Sequence, residues 1–437
     1  MKIITITGIG RKTQEGQRAY YRYDKNLESF FSLKKHNYTN MLPLLIDNFG
    51  DNVIPIFTQS AKESQILVLQ DEFPQKDFDI FKDEYLIDDD KDFYSILSLI
   101  NNLMSESDKY IIDLTHGFRH IPILAVISII THTLNDASNI EHILFAKEIE
   151  TQKEYEIIDL KEYLELANIS YALEAFVDNY TAPHRFFFTD EALDDLNSDL
   201  KILSNCILSN SLQRLIESPI LEDIISKISA VMKDKKAATF KVSLIKIKKH
   251  IEELQQLKSE TRVSNRLYEF AKLLSKRGYL LNAITLLFEA TGYYCLESLK
   301  SIDRTTSDYI DLYEKALASR GKSPIYAMTT WARAIVKNYK SSEDFYSPDT
   351  SKWKWREKYE TISEDAKKIN KGISDYLISI KDIRCFTRFI GDVEHFRNNL
   401  AHGNSSDPIK DAKDRLKGFI ETYMKYCINE NILGIKQ

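Results

Sequence analysis

The sequence predicts an α/β, Rossmann-like N-terminal domain followed by an all-α C-terminal domain. Three observations carry this. The chain has 437 residues, room for two or three domains at about 100–200 residues each. Only 13 glycines and 9 prolines occur, about half of average usage and too few for a turn-dense all-β fold. Finally, short β-branched runs alternate with helical patterns over the first 160 residues and then cease.

The strands are read in order. Lys2–Gly8 (KIITITG) is β-branched and stops at a glycine, as a buried strand does. Asn52–Phe57, Glu84–Ile87, Tyr110–Leu114, His142–Ala146 and Glu154–Ile158 are further short apolar runs. Helical patterns lie between them at Tyr38–Asn48, at Asp92–Met104 behind the acidic run Asp88–Asp90, and at Phe118–Leu134 after Gly117. This alternation predicts a parallel sheet with helices on both faces, the strand order left open.

From Leu160 onward, 3.6-residue apolar spacing predicts helices almost throughout. They cover Tyr163–Asn179, Asp190–Glu217, Leu221–Met232, Lys241–Lys258, Arg262–Arg277, Leu280–Leu299, Ser307–Ser319, Ile325–Tyr339, Tyr359–Tyr376, Ile383–Ala401 and Ile409–Asn429. Asp234–Ala238 and Ser341–Ser351 read as loops. The predicted domains are residues 1–160, a helical connector 161–260, and a helical domain 261–437.

Composition narrows the function classes. A net charge of −6, from 59 basic and 65 acidic side chains, excludes a general polyanion-coating protein but permits one local nucleic-acid site. Cys206, Cys295, Cys385 and Cys427 form no CxxC pair, so neither a zinc ribbon nor a redox motif is visible. The longest apolar run, Ile121–Ile130, has ten residues against the ~20 of a membrane span, and the N-terminus lacks a signal-peptide pattern. A soluble, cytosolic protein with no membrane partner is expected.

Three segments could carry chemistry. Asp113-Leu-Thr-His-Gly-Phe-Arg-His-Ile-Pro122 sits where a strand ends and a helix begins, the place where open α/β sheets bind ligands. There Gly117 permits close backbone approach, the helix N-terminus offers free N–H groups, and Thr115 and His116 are expected to point into the crevice. Thr7-Gly-Ile-Gly-Arg11 is a second strand-to-loop glycine turn, with Thr13 where a full dinucleotide fingerprint needs its third glycine. Turn glycines and capping threonines without a ligand explain both loops equally well.

The third segment is Arg397-Asn-Asn-Leu-Ala-His-Gly403. An imidazole near neutrality can move protons at an RNA 2′-hydroxyl or leaving 5′-oxygen, and a guanidinium can hold the phosphate, so Arg397 and His402 are a workable metal-free constellation for RNA cleavage, although their five-residue offset does not place both on one stripe of an ideal helix. Asn398, one helical turn before His402, could orient the imidazole or touch the phosphate. The plain alternative is a helix end, with His402 in the last turn and Gly403 as cap. Arg-x4–6-His arises by chance about once in a chain this size, and Arg388/His395 fits it too. No HExxH, Walker A loop or GxSxG elbow is present, so no metal site or cofactor is expected. Tyr20-Tyr-Arg-Tyr23 either stacks on bases or is half-buried packing.

Together these features resemble the CRISPR-associated CARF–HEPN ribonucleases of type III systems. KIITITGIG followed about 100 residues later by DLTHGFRHIP is similar to the two ligand-loop motifs of the CARF domain. Leu164–Val177 resembles the connector there, Leu280–Glu297 a helix of the effector domain, and RNNLAHG the HEPN motif, including the polar residue after the arginine that Arg388 lacks.

The resemblance implies a CARF domain that binds a cyclic oligoadenylate of four or six units as allosteric activator, in a two-fold pocket of a homodimer. It implies a HEPN pair that then cleaves single-stranded RNA without metal, at a composite site formed by Arg397, Asn398 and His402. The implied ring-binding residues are Gly8, Gly10 and Arg11, then Thr115, His116 and Gly117, with Thr58, Gln59 and Ser60 after the second strand. Two other readings stay open: a cyclic-oligoadenylate sensor whose HEPN bundle only dimerises, and a CARF domain that also degrades its own ring.

Overall fold

The computed structural model describes residues 1–9, 18–28, 30–31, 33–87, 93–104, 108–117, 120–133, 138–183, 188, 190–234, 236–319, 324–340, 364–403 and 408–435. The chain divides into two compact units, Met1–Ala175 with Ala182–Ser198, and Phe176–Thr181 with Asp199–Gln437.

The first unit is built on a seven-stranded sheet: β1 (Lys2–Ile6), β2 (Ala19–Tyr23), β3 (Asn37–Tyr38), β4 (Val53–Ile56), β5 (Tyr110–Asp113), β6 (Ile140–Glu150) and β7 (Glu154–Asp159). Their order is β3-β2-β7-β6-β5-β1-β4. Strands β4, β1, β5 and β6 are mutually parallel. The expected all-parallel sheet is corrected to a mixed one: β6 and β7 form an antiparallel hairpin, turned at Gln152 with φ +62°, and β3 joins β2 antiparallel. The three-residue connection between β6 and β7 permits only antiparallel pairing, because a parallel return needs a crossover.

Helices α1 (Met41–Phe49), α2 (Gln59–Glu72), α3 (Phe93–Leu103), α4 (His120–Thr133) and the start of α5 (Lys161–Asn179) cover both faces. Strand alternation divides them. Ile3, Ile111 and Leu144 pack with Met41–Ile46 of α1 and with Ala61 and Leu69 of α2. Ile4, Ile112 and Ile143 pack with Ile96 and Ile100 of α3 and with Ile121, Ala125 and Ile129 of α4. Emptying either core, as in Ile112→Ala, would cost about 2–5 kcal/mol.

One local expectation is corrected and one open alternative is narrowed. Glu84–Ile87 is no strand: a 3-10 turn occupies Asp83–Tyr85, and only Leu86 bridges to Phe57. Tyr20–Tyr23 completes β2, with Tyr21 buried and stacked on Tyr155 at 5.3 Å while Tyr20 stays exposed beside His36, a half-buried packing arrangement. The Asp88–Asp90 run and the ends of the Phe118–Leu134 helix lie outside the described residues.

The second unit is helical. It takes the ends of α5 and α6 (Glu191–Leu208), then α7 (Leu212–Glu217), α8 (Ile220–Val231), α9 (Lys241–Gln256), α10 (Val263–Lys276), α11 (Leu280–Ile302), α12 (Arg304–Ser319), α13 (Pro324–Lys337), α14 (Glu364–Ser379), α15 (Ile383–Ala401) and α16 (Ile409–Tyr423). The single helix expected over Asp190–Glu217 is broken. Asn210 takes the left-handed conformation (φ +54°) and Ser211 N–H caps Cys206 O, an ending that asparagine tolerates. Helix α11 is the hub, packed by α10, α12, α13, α15 and α16. Ser341–Ser351 and the first residues of the Tyr359–Tyr376 helix lie outside the described residues. Among the described residues no helix is long and apolar enough to cross a membrane.

Candidate functional site

Strand order fixes the first site. In the parallel core β4-β1-β5-β6, the next core strand after β1 is β4 on one side, and the next after β5 is β6 on the other. The crevice beyond the carboxyl ends of β1 and β5 is therefore a topological switch point, where open α/β sheets bind ligands. Gly8 ends one lip and Gly117 the other. A Cβ on Gly8 would stand 3.0 Å from Gly117 N, and one on Gly117 would stand 2.6 Å from Ile6 Cγ2. Gly117 also has φ +109°, open only to glycine. The two loops singled out in the sequence are thus in backbone contact across 109 residues of chain.

Beneath them lies a polar clamp. Asp113 is fully buried and accepts Thr5 Oγ1 at 2.7 Å, Thr115 Oγ1 at 2.5 Å and Thr115 N at 3.1 Å. Burial pushes its carboxyl above the ordinary range, against the opposing pull of His116 and of these donors. The Thr115 hydroxyl also accepts Ala146 N at 2.9 Å. It therefore ties β5 to β6, where the sequence placed it in the crevice.

His116 is directed to α1: its Nε2 lies 3.4 Å from Met41 N, which donates to it. Burial lowers the His116 pKa although Asp113 opposes this. An Nε2 that accepts the Met41 N–H leaves the ring proton to Nδ1.

Two residues that the sequence did not reveal complete this rim. Gln65 Nε2 donates to Gly8 O at 2.9 Å, and Gln65 Oε1 accepts Asn40 Nδ2 at 3.1 Å. Asn40 in turn caps α1 through Leu42 N at 3.0 Å. No local pattern marks a glutamine for this role, because its partner is 57 residues away. Thr58 is buried and caps α2 by accepting Ala61 N at 3.3 Å, while Gln59 and Ser60 are exposed in the first turn. Gly10 and Arg11 lie outside the described residues.

The second site ends α15. Phe396 is buried beside Phe419 and fixes the helix face, leaving Arg397 and Asn398 half-buried and His402 exposed. Arg397 Nη1 donates to Asn398 Oδ1 at 3.0 Å, so Asn398 orients the arginine. The guanidinium lies 5.6 Å from the centre of the Phe288 ring on α11. His402 is the C-cap, its N–H on Asn398 O at 3.0 Å, and Gly403 follows with φ +67°. The cap geometry is what presents the imidazole to solvent at the helix end. Among the described residues no hydrogen bond joins Arg397 to His402. In the alternative pair, His395 is held by Asn399 Nδ2 at 3.1 Å.

Among the described residues no group of three or more His, Cys, Asp or Glu side chains could hold a metal ion. No protein-family model matches the chain, and no curated protein matches it. Among solved structures it is similar to Enterococcus italicus Csm6 bound to cyclic hexa-2′-fluoro-hexa-dAMP, with 11% identity over 98% of this chain and 96% of that one and a TM-score of 0.30.

Proposed function

We propose that this protein is a cyclic-oligoadenylate-activated endoribonuclease of type III CRISPR antiviral defence, acting in the cytoplasm as a homodimer. In this reading residues 1–160 sense the ring, 161–260 connect, and 261–437 cut single-stranded RNA. The observation that supports it most is the meeting of the two glycine loops at the switch point of the sheet, with Gly8 and Gly117 in backbone contact. A ring of phosphodiesters needs backbone N–H groups and close approach, and glycine lips provide both.

At the other end, Arg397 would hold the scissile phosphate and the charge that grows on its oxygens. His402 would move the protons. As the 2′-oxygen bonds to phosphorus its proton leaves, the P–O5′ bond breaks, and a proton reaches the departing 5′-oxygen. Asn398 holds Arg397 in place. Each step uses side chains of this protein and no metal.

The test is cleavage of a fluorescent RNA in EDTA, with and without cyclic tetra- or hexa-adenylate. One of the rings is expected to stimulate cleavage, and His402→Ala to abolish it while ring binding persists. RNA left intact at saturating concentrations of both rings would overturn the reading. Labelled ring incubated with the His402→Ala protein should also stay whole.

A further inference from the structure

Arg333, on α13, is buried at 5% exposure in the second unit. Its guanidinium lies 3.7 Å from the centre of the Phe288 ring, donates from Nη1 to Phe288 O at 2.9 Å, and meets Glu289 Oε2 at 3.5 Å. Arg397 stands over the same ring at 5.6 Å. One phenyl ring on α11 therefore carries two guanidinium groups, one locked and one belonging to the proposed cleavage site.

The room for the locked one comes from Gly292, a helical turn beyond Phe288. A Cβ there would fall 2.3 Å from Arg333 Nη1 and 2.9 Å from Thr329 Cβ. A glycine inside a helix is destabilising against alanine. Here it leaves space for a buried cation.

We propose that Arg333 is a positioning residue for RNA cleavage, acting on Arg397 through Phe288; this rests on the ribonuclease reading. Arg333 fixes both the ring plane and the backbone carbonyl of Phe288, and so sets the platform under Arg397. It also neutralises Glu289, the carboxylate adjacent to that platform, so that the charge does not compete with phosphate. A planar guanidinium can stack and donate at once, which an ammonium cannot. Arg333→Lys keeps the charge and loses the platform.

The experiment uses the full chain, activated by its ring, in single-turnover cleavage of a fluorescent RNA. Arg333→Lys, Gly292→Ala and Phe288→Leu are compared with wild type, with melting and ring affinity checked for each. A 1 Å displacement of a transition-state group costs up to about 100-fold in rate. The variants that fold should therefore lose about 10–100-fold in kcat with KM changed by less than about 3-fold. In an Arg397→Lys background the same changes should cost less than about 2-fold more, since they act through Arg397.

Folded variants with wild-type kcat, or equal losses in both backgrounds, would overturn the proposal. If Arg333→Lys does not fold, Gly292→Ala and Phe288→Leu decide it by the same criteria. A wild-type protein that does not cut RNA at all would instead remove the ribonuclease reading, and this role with it.

Discussion

Gly117→Ala tests the switch-point geometry most directly. The substitution adds a methyl group 2.6 Å from Ile6 Cγ2 in a buried strand, at φ +109°. The backbone conformation costs about 1–3 kcal/mol for a residue with a Cβ. The overpacking costs about 1–3 kcal/mol more, and the stiffer unfolded chain returns about 0.4–1 kcal/mol. A net loss of about 1–5.5 kcal/mol follows. Ile6→Ala removes the clashing Cγ2 and by itself costs about 2–5 kcal/mol. In that background Gly117→Ala retains only the backbone cost, so the double variant should be about 1–3 kcal/mol more stable than the sum of the singles. Hydrogen exchange at the amides of β1 and β5 reports this locally, without assuming that the whole chain unfolds as one unit. Single costs that add within about 0.5 kcal/mol, or a Gly117→Ala loss below about 1 kcal/mol, would refute the contact between the lips.

Three further outcomes are expected. His250 lies with Arg277 Nη2 2.9 Å from Nδ1 and 3.0 Å from Nε2, and burial and that cation lower its pKa, with Lys246 and Lys249 adding to the effect and Glu253 opposing it. The folded state therefore rejects the proton: His250 stabilises above the unfolded pKa of about 6.5, and this is lost as pH falls below it. His250→Gln should flatten the urea midpoint below about pH 6.5, read by tryptophan fluorescence, since Trp331 is buried in the second unit. Gln65→Leu strips the partners from Gly8 O and Asn40 Nδ2, and should cost about 1–3 kcal/mol by hydrogen exchange and weaken binding of a labelled ring. Asp113→Leu leaves three donors without their acceptor and should cost about 2–4 kcal/mol, against about 1 kcal/mol or less for Asp113→Asn, which keeps an oxygen; equal melting points would contradict the clamp.

What the sequence discloses depends on whether burial and apolarity coincide. Strands β1, β4 and β5 are apolar on both faces because helices cover both, and each is legible. Helix α2 is not. Its buried residues are Ala61, Gln65, Val68, Leu69 and Glu72, in helical register, but two of the five are polar and the periodicity disappears. Glu72 is buried because Thr39 N and Oγ1, Lys35 and Arg18 all reach it from elsewhere in the chain. The same holds for the candidate sites. Gly8, Gly117 and Arg397 through His402 are visible as motifs because each sits at an element end with its own local signature. Gln65, Asn40 and Arg333 act through partners 25 to 57 residues away, so only the assembled fold reveals them.

The five-residue step from Arg397 to His402 constrains how any cleavage site can form. At about 100° per residue the two lie roughly 140° apart around α15 and about 7.5 Å apart along it. The structure agrees in part: Arg397 is half-buried above Phe288 while His402 is exposed at the helix end. One copy therefore does not direct both groups at one phosphate from a single helix stripe. In the proposed dimer the missing group comes from the second copy, and this can be tested by complementation. Arg397→Ala and His402→Ala proteins each lack one kind of group entirely, and loss of a proton-transfer group costs about 10²–10⁴-fold. After subunit exchange, confirmed with two affinity tags, mixed dimers carry one arginine and one histidine on different chains. Ring-stimulated cleavage by the mixture should exceed either parent by about tenfold or more. A mixture no more active than the mean of its parents, with exchange complete, would show that the site does not assemble between copies.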